Sequence, residues 1–166
     1  MRTEVFQIAS GERVMVVSDV RIHATNEVVI DGLLLAKPGV TIEIIAPKLT
    51  VRGTVCAGSG VNGVDVLEPG GNGGNVILRV ADIRVEEGAV IRSGAGGNGS
   101  FGASGGDGGD ILLLPSSLVS GGGEGTMEAG AGGTGGEGVT GYSDAARNGG
   151  NGGSGGAVGV ITTSTV

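Results

Sequence analysis

Histidine occurs once in this 166-residue sequence, at position 23, and cysteine once, at position 56. Nucleophilic catalysis on a Ser-His-Asp plan therefore has one available base. The alternation of Ile22, His23 and Ala24 turns that imidazole outward from a strand, as a solvated residue. The lone Cys56 excludes an intrachain disulfide and reads as structural. Asp65, Glu68, Glu124 and Glu137 lie near loops, where a pair of acids can cleave a polysaccharide, but neither a basic partner set nor aromatic sugar platforms accompany them. No glycine run is followed by Gly-Lys-Ser/Thr or by a helix, which rejects a phosphate loop. These residues assign no catalytic set and point to a protein that is not an enzyme. Contact chemistry gathers instead in 139–148, which holds the only tyrosine beside an arginine; Tyr142, Asp144, Arg147 and Asn148 are the candidates for a local binding site.

Such residues need elements to hold them, and composition limits which. Gly numbers 39, aromatic residues make up 2%, and tryptophan is absent. The apolar content is therefore aliphatic and largely β-branched, which suits strands and excludes a helical fold. A net charge of −7 gives no footprint for nucleic acid or an anionic membrane surface. No apolar run reaches the roughly 18 residues of a membrane span. The first residues, MRTEVFQIASGERV, lack the apolar stretch of an export signal. The length fits one domain, 1–166.

Internal repeats set the architecture. Val28, Ile30, Gly32, Leu34 and Ala36 match Leu49, Val51, Gly53, Val55 and Ala57 at an offset of 21, both series running with period two. Segments starting at Ala57, Ser93 and Ala129 match at successive offsets of 36, and each is followed by a returning glycine-rich segment that enters an apolar strand. Removing these excursions leaves a turn of about 20 residues, the spacing of a parallel β-solenoid. The expected fold is all-β: a right-handed solenoid of about four to five short rungs, residues 1–19 forming an N-terminal cap or first strands. Ile22, Ile42, Leu78 and Leu113 are expected to stack inward on one face, and Ile30, Val51 and Val85 on another.

The excursions, 58–75, 94–110 and 130–156, repeat Gly-Gly-X with period three. Three residues per turn is the period of a polyproline II helix, and glycine lets such helices approach closely enough to share backbone hydrogen bonds. The hairpins are expected to project from one corner and stack as a polyglycine II layer. The third position, including Asn72, Asn75, Asn98, Asp107, Asp110, Thr134, Asn151 and Ser154, is expected to face solvent or cap a corner.

At 70–78, GGNGGNVIL, and 105–113, GGDGGDILL, the chain resembles glycine-rich repeats of bacterial adhesins of the filamentous-haemagglutinin type. That resemblance implies a right-handed β-helix on a cell surface or in a fibre, hence an extracellular location. The same nonapeptides fit the calcium-binding pattern of repeat-in-toxin proteins, with Asp110 at the aspartate position and Asn75 replacing it in the other copy. This makes Asp107, Asp110, Asn72 and Asn75 candidate calcium ligands; in that family the nonapeptides are tandem, whereas these stand 35 residues apart. No other cofactor is expected. The polyglycine segments are also similar to those of glycine-rich antifreeze proteins and phage fibre-tip adhesins, which implies ice or surface glycans as alternative partners. The expected function is a structural, self-assembling module whose main partner is itself, joined head to tail through the ends, with no nucleic acid and no membrane insertion.

Overall fold

The structure is a computed structural model that describes residues 2–114, 116–122, 125–137 and 150–160. Among these residues every regular element is a strand: β1 (Arg2–Ile8), β2 (Arg13–Val16), β3 (Val20–Ile30), β4 (Leu33–Ala36), β5 (Ile42–Val51), β6 (Thr54–Cys56), β7 (Val76–Glu86), β8 (Val90–Arg92), β9 (Ile111–Leu113), β10 (Leu118–Gly122), β11 (Thr126–Glu128) and β12 (Val158–Val160). They form two sheets. One runs β1-β3-β5-β7-β9-β12 with β10 also on β7, and the other runs β2-β4-β6-β8-β11. Every pairing is parallel.

The chain alternates between the sheets and each pass lies on the one before it; the passes add one strand to each sheet until β9 and β10, which both lie on the long β7. Residues 2–16 form the first of these passes, β1 and β2 continuing both sheets. Tight corners make the alternation possible. Between β1 and β2 the Glu12 N–H donates to the Ala9 carbonyl at 3.0 Å, and between β7 and β8 the Ala89 N–H donates to Glu86 at 3.0 Å. In both turns the third residue, Gly11 or Gly88, has a positive φ, the geometry of a type II turn.

The core lies between the sheets. Ile30, Ile42, Ile44, Leu49, Leu78 and Ile83 have no exposed surface. Burial of one such side chain is worth about 1.5–3 kcal/mol. The expected stack Ile30, Val51, Val85 is present in register. The other expected stack is corrected by two residues: Ile22 stands beside Ile44, then Leu78 and Leu113, whereas Ile42 belongs with Val20, Val76 and Ile111. Both isoleucines point inward, so period two identifies their face without choosing between them. An irregularity between His23 and Glu27 adds a residue to the pass there, and the spacing is 22 before it and 21 after it, not 20.

Outward-facing side chains of the larger sheet are knit by charge. Glu43, 9% exposed, lies between Arg21 and Arg79, with the Arg79 Nε at 2.7 Å. Lys48 meets Glu27 at 3.1 Å, and Arg52 meets Asp31 at 2.8 Å. Burial alone would raise the Glu43 carboxyl, but hydrogen bonds and charge from Arg79 and Arg21 outweigh it and hold it below its ordinary 4.5. Glu27 is lowered too: burial opposes, while Thr50 and Lys48 prevail. A carboxylate with a depressed folded-state pKa adds stability that is present above its unfolded value and is lost as pH falls through the folded one. The melting midpoint should therefore hold steady from pH 7 to about 5 and drop below about 4.5. In Glu43→Gln that drop should be smaller, as followed by circular dichroism melts across pH.

Candidate functional site

The glycine segments are inserted at one corner, between the second sheet and the return to the first. In the second pass this corner is the short loop 37–41; in the third to fifth passes it carries the outgoing segments 57–63, 93–99 and 129–135 and the returning segments 70–75, 105–110 and 150–157. The loop floors the stack, with the Gly58 N–H donating to the Val40 carbonyl at 3.1 Å.

Three sets of hydrogen bonds repeat, each using one residue of the triplet. The first joins equivalent segments of successive layers: Gly60 donates to Ala95 at 2.7 Å and Gly96 to Ala131 at 2.8 Å, while Gly73 donates to Asp107 and Gly108 to Ser154, both at 2.8 Å. The second crosses between outgoing and returning columns as an unbroken relay. Gly74 donates to Gly58, Gly94 to Gly74, Gly109 to Gly94, Gly130 to Gly109 and Gly156 to Gly130, at 2.7 to 3.2 Å. A parallel relay runs from Gly153 through Gly133, Gly106, Gly97 and Gly71 to Val61.

The third set uses side chains: most X residues face solvent as expected, and many of them also accept a hydrogen bond from the layer above. The Asn98 N–H donates to Asn62 Oδ1 at 2.8 Å and the Thr134 N–H to Asn98 Oδ1 at 3.0 Å. Likewise Asp107 donates to Asn72 Oδ1, Ser154 to Asp107 Oδ1, Asp110 to Asn75 Oδ1 and Ala157 to Asp110 Oδ1, at 2.7 to 2.9 Å. The X side chain thus supplies the acceptor that the backbone cannot, and the N–H groups between layers are satisfied. The signal available in the sequence was the predominance of Asn, Asp, Ser and Thr at X. Asn98→Ala should cost about 1 kcal/mol, seen as a midpoint lower by roughly 2–4 °C, while Asn98→Asp, which keeps the acceptor, should melt nearer the parent.

The close approach explains the glycines. A Cβ on Gly60, Gly97, Gly106 or Gly133 would stand 1.8 to 2.0 Å from a carbonyl oxygen of the adjacent segment. The outgoing segment of the lowest layer departs from the rule at Val61, which occupies the place held by Gly97 and Gly133 in the layers above and is 57% exposed.

The sequence-predicted residues separate accordingly. Asn72 with Asp107, and Asn75 with Asp110, form two ladders whose Oδ1 atoms face backbone N–H groups; among the described residues no three His, Cys, Asp or Glu side chains gather as a metal-holding group. Glu68 closes the tip of the first hairpin, its Oε2 accepting from the Val64 and Asp65 N–H groups at 2.8 and 2.9 Å; these bonds hold its carboxyl below the ordinary value. In the same tip Leu67 has a φ of 62° and donates to the Phe101 carbonyl, tying the first tip to the second. Glu137 accepts the Gly102 N–H through its backbone. His23 is half-buried beside Thr3, Phe6 and Ile22 on the outward face. Burial pushes the Cys56 thiol up, away from a reactive thiolate. Tyr142, Asp144, Arg147 and Asn148, with Glu124, lie outside the described residues. Among the described residues no helix is long and apolar enough to cross a membrane.

The chain matches no family model, no curated protein and no solved structure.

Proposed function

We propose that the two parallel sheets are the walls of a right-handed β-solenoid flanked by a polyglycine II stack, and that the protein is a non-catalytic structural module assembling head to tail in an extracellular fibre or surface layer. The observation that carries this reading is the parallel pairing of the outermost described strands. Among the described residues β1 and β2 at one end, and β12 and β11 at the other, each have one neighbour only. All pairing is parallel, so a second copy displaced along the stacking axis meets strands of matching direction. Contact of that kind is heterologous and does not close, so it grows filaments. Negative-stain electron microscopy over a concentration series should show thin filaments that lengthen as protein is added. Discrete particles at every concentration would overturn this reading.

A second reading, adhesin-like binding of a glycan or ice surface, is favoured by the hairpin tips, where Val64 is 82% and Phe101 49% exposed, with Leu67 beside them. Under that reading removal of 138–148 abolishes binding, whereas under the first reading it leaves assembly intact; unchanged binding after the truncation would overturn the local site.

A further inference from the structure

Asparagine followed by glycine is the dipeptide most prone to spontaneous deamidation, because a glycine nitrogen has no Cβ beside it. Asn62-Gly63, Asn72-Gly73 and Asn98-Gly99 place this dipeptide inside the stack, each beneath a further layer. All three asparagines are exposed, so water and hydroxide reach them. In the reaction the glycine nitrogen, its proton taken by hydroxide, attacks the side-chain Cγ. A Cγ–N bond forms, the Cγ–Nδ2 bond breaks and ammonia leaves. Water then opens the five-membered succinimide at either carbonyl, giving aspartate or isoaspartate.

Each of these dipeptides is clamped by one residue of the layer above. The Asn98 N–H donates to Asn62 Oδ1 while the Asn98 carbonyl accepts the Gly63 N–H, both at 2.8 Å. Asp107 holds Asn72 and Gly73 in the same way at 2.9 and 2.8 Å, and Thr134 holds Asn98 and Gly99 at 3.0 and 2.9 Å. Both bonds converge on a single residue, so the side-chain amide and the N–H edge of the glycine lie side by side. Ring closure needs a different arrangement, with Cγ over the face of the glycine amide and the N–H proton free for removal.

We propose that Asn62, Asn72 and Asn98 are self-modification sites that the stack holds shut, and that isoaspartate formed there while the stack is open prevents it from closing again. The two products differ in what they return to the layer. Aspartate keeps Oδ1 in place, as Asp107 does in the column of Asn72, where it accepts the Ser154 N–H at 2.7 Å. Isoaspartate routes the main chain through Cβ and Cγ, which adds one backbone atom to the triplet and takes the acceptor away from the Oδ1 position. The clamp then loses its side-chain bond, and the following glycine no longer lies opposite its acceptor. Because at least the two clamp bonds must open before the nitrogen can attack, the folded chain reacts only through an opened minority of molecules.

The test incubates the full chain in mildly alkaline buffer beside synthetic peptides of residues 59–66, 69–76 and 95–102, each site being followed by mass spectrometry that separates asparagine, aspartate and isoaspartate. Asn62, Asn72 and Asn98 of the folded chain should react at least about tenfold more slowly than in the peptides. Thr134→Pro removes the N–H that faces Asn98 Oδ1 while keeping a backbone angle suited to the segment, so it should speed Asn98 alone. Thr134→Ala, which keeps both the N–H and the carbonyl, should leave Asn98 slow. Chain that has reacted in urea and is then refolded should return aspartate, but not isoaspartate, to the native fraction isolated by size exclusion. Equal rates in the folded chain and the peptides would overturn the proposal, as would isoaspartate at these sites in the native fraction. In a Thr134→Pro protein with the native circular dichroism spectrum, equal speeding of all three asparagines would also overturn it, by showing general loosening in place of a clamp. Should that variant not fold, the rates of the parent chain against the peptides decide.

Discussion

Gly97→Ala should destabilise the protein by about 3–5 kcal/mol, whereas Gly155→Ala, in a similar glycine-rich triplet setting, should leave the melting midpoint unchanged or slightly raised. The added methyl on Gly97 would stand 1.9 Å from the Val61 carbonyl oxygen. To relieve that overlap the middle layer must move, weakening both the bond from the Gly97 N–H to Gly71 and the one from Gly106 to Gly97, each 2.8 Å. Two hydrogen bonds at about 1 kcal/mol each, with an overpacking penalty of about 1–3 kcal/mol, make the total. Gly155 has no described atom closer than 4.0 Å and no left-handed φ. There a methyl mainly restricts the unfolded chain, a gain of about 0.4–1 kcal/mol. Paired urea titrations measure both, and equal losses at the two sites would sink the account of the stack.

The second large effect is expected in the core. Ile44→Ala removes a side chain of zero exposure from between Ile22 and Leu78 in neighbouring passes. The neighbours are held in register by sheet hydrogen bonds and cannot close the gap, so a loss of about 3–4 kcal/mol is expected. Glu43→Ala, on the adjacent outward residue, should cost less, because its arginine partners are 69% and 43% exposed and return to water. Denaturant midpoints should fall in that order with little change in slope. A larger loss for Glu43→Ala would mean that the outer charge ladder, not the inner stack, holds the passes together.

Much of this arrangement was legible from alternation and offset. Val28 through Ala36 against Leu49 through Ala57 identified inward faces, and the offset of 36 located three hairpins at one corner. Alternation could not tell Ile42 from Ile44 as the partner of Ile22, because parity survives a slip of two, and the extra residue between His23 and Glu27 leaves no mark in composition. The role of Asn62, Asn72, Asn75 and Asn98 was hidden for another reason. A side-chain acceptor is recognisable only when the donor above it is known, and that donor lies 35 or 36 residues away.

The three-fold division of labour within each triplet gives the glycine stack a reading frame. Inserting or deleting one residue in 93–99 would rotate Asn98 into the place of a glycine and a glycine into the place of Asn98, breaking both relays at once. Inserting three would preserve every bond on either side and push the tip outward by about 9 Å, three steps of an extended helix. Length variation in these hairpins is thereby confined to multiples of three, and the reach of the tips can change in fixed increments without disturbing the sheets that carry them.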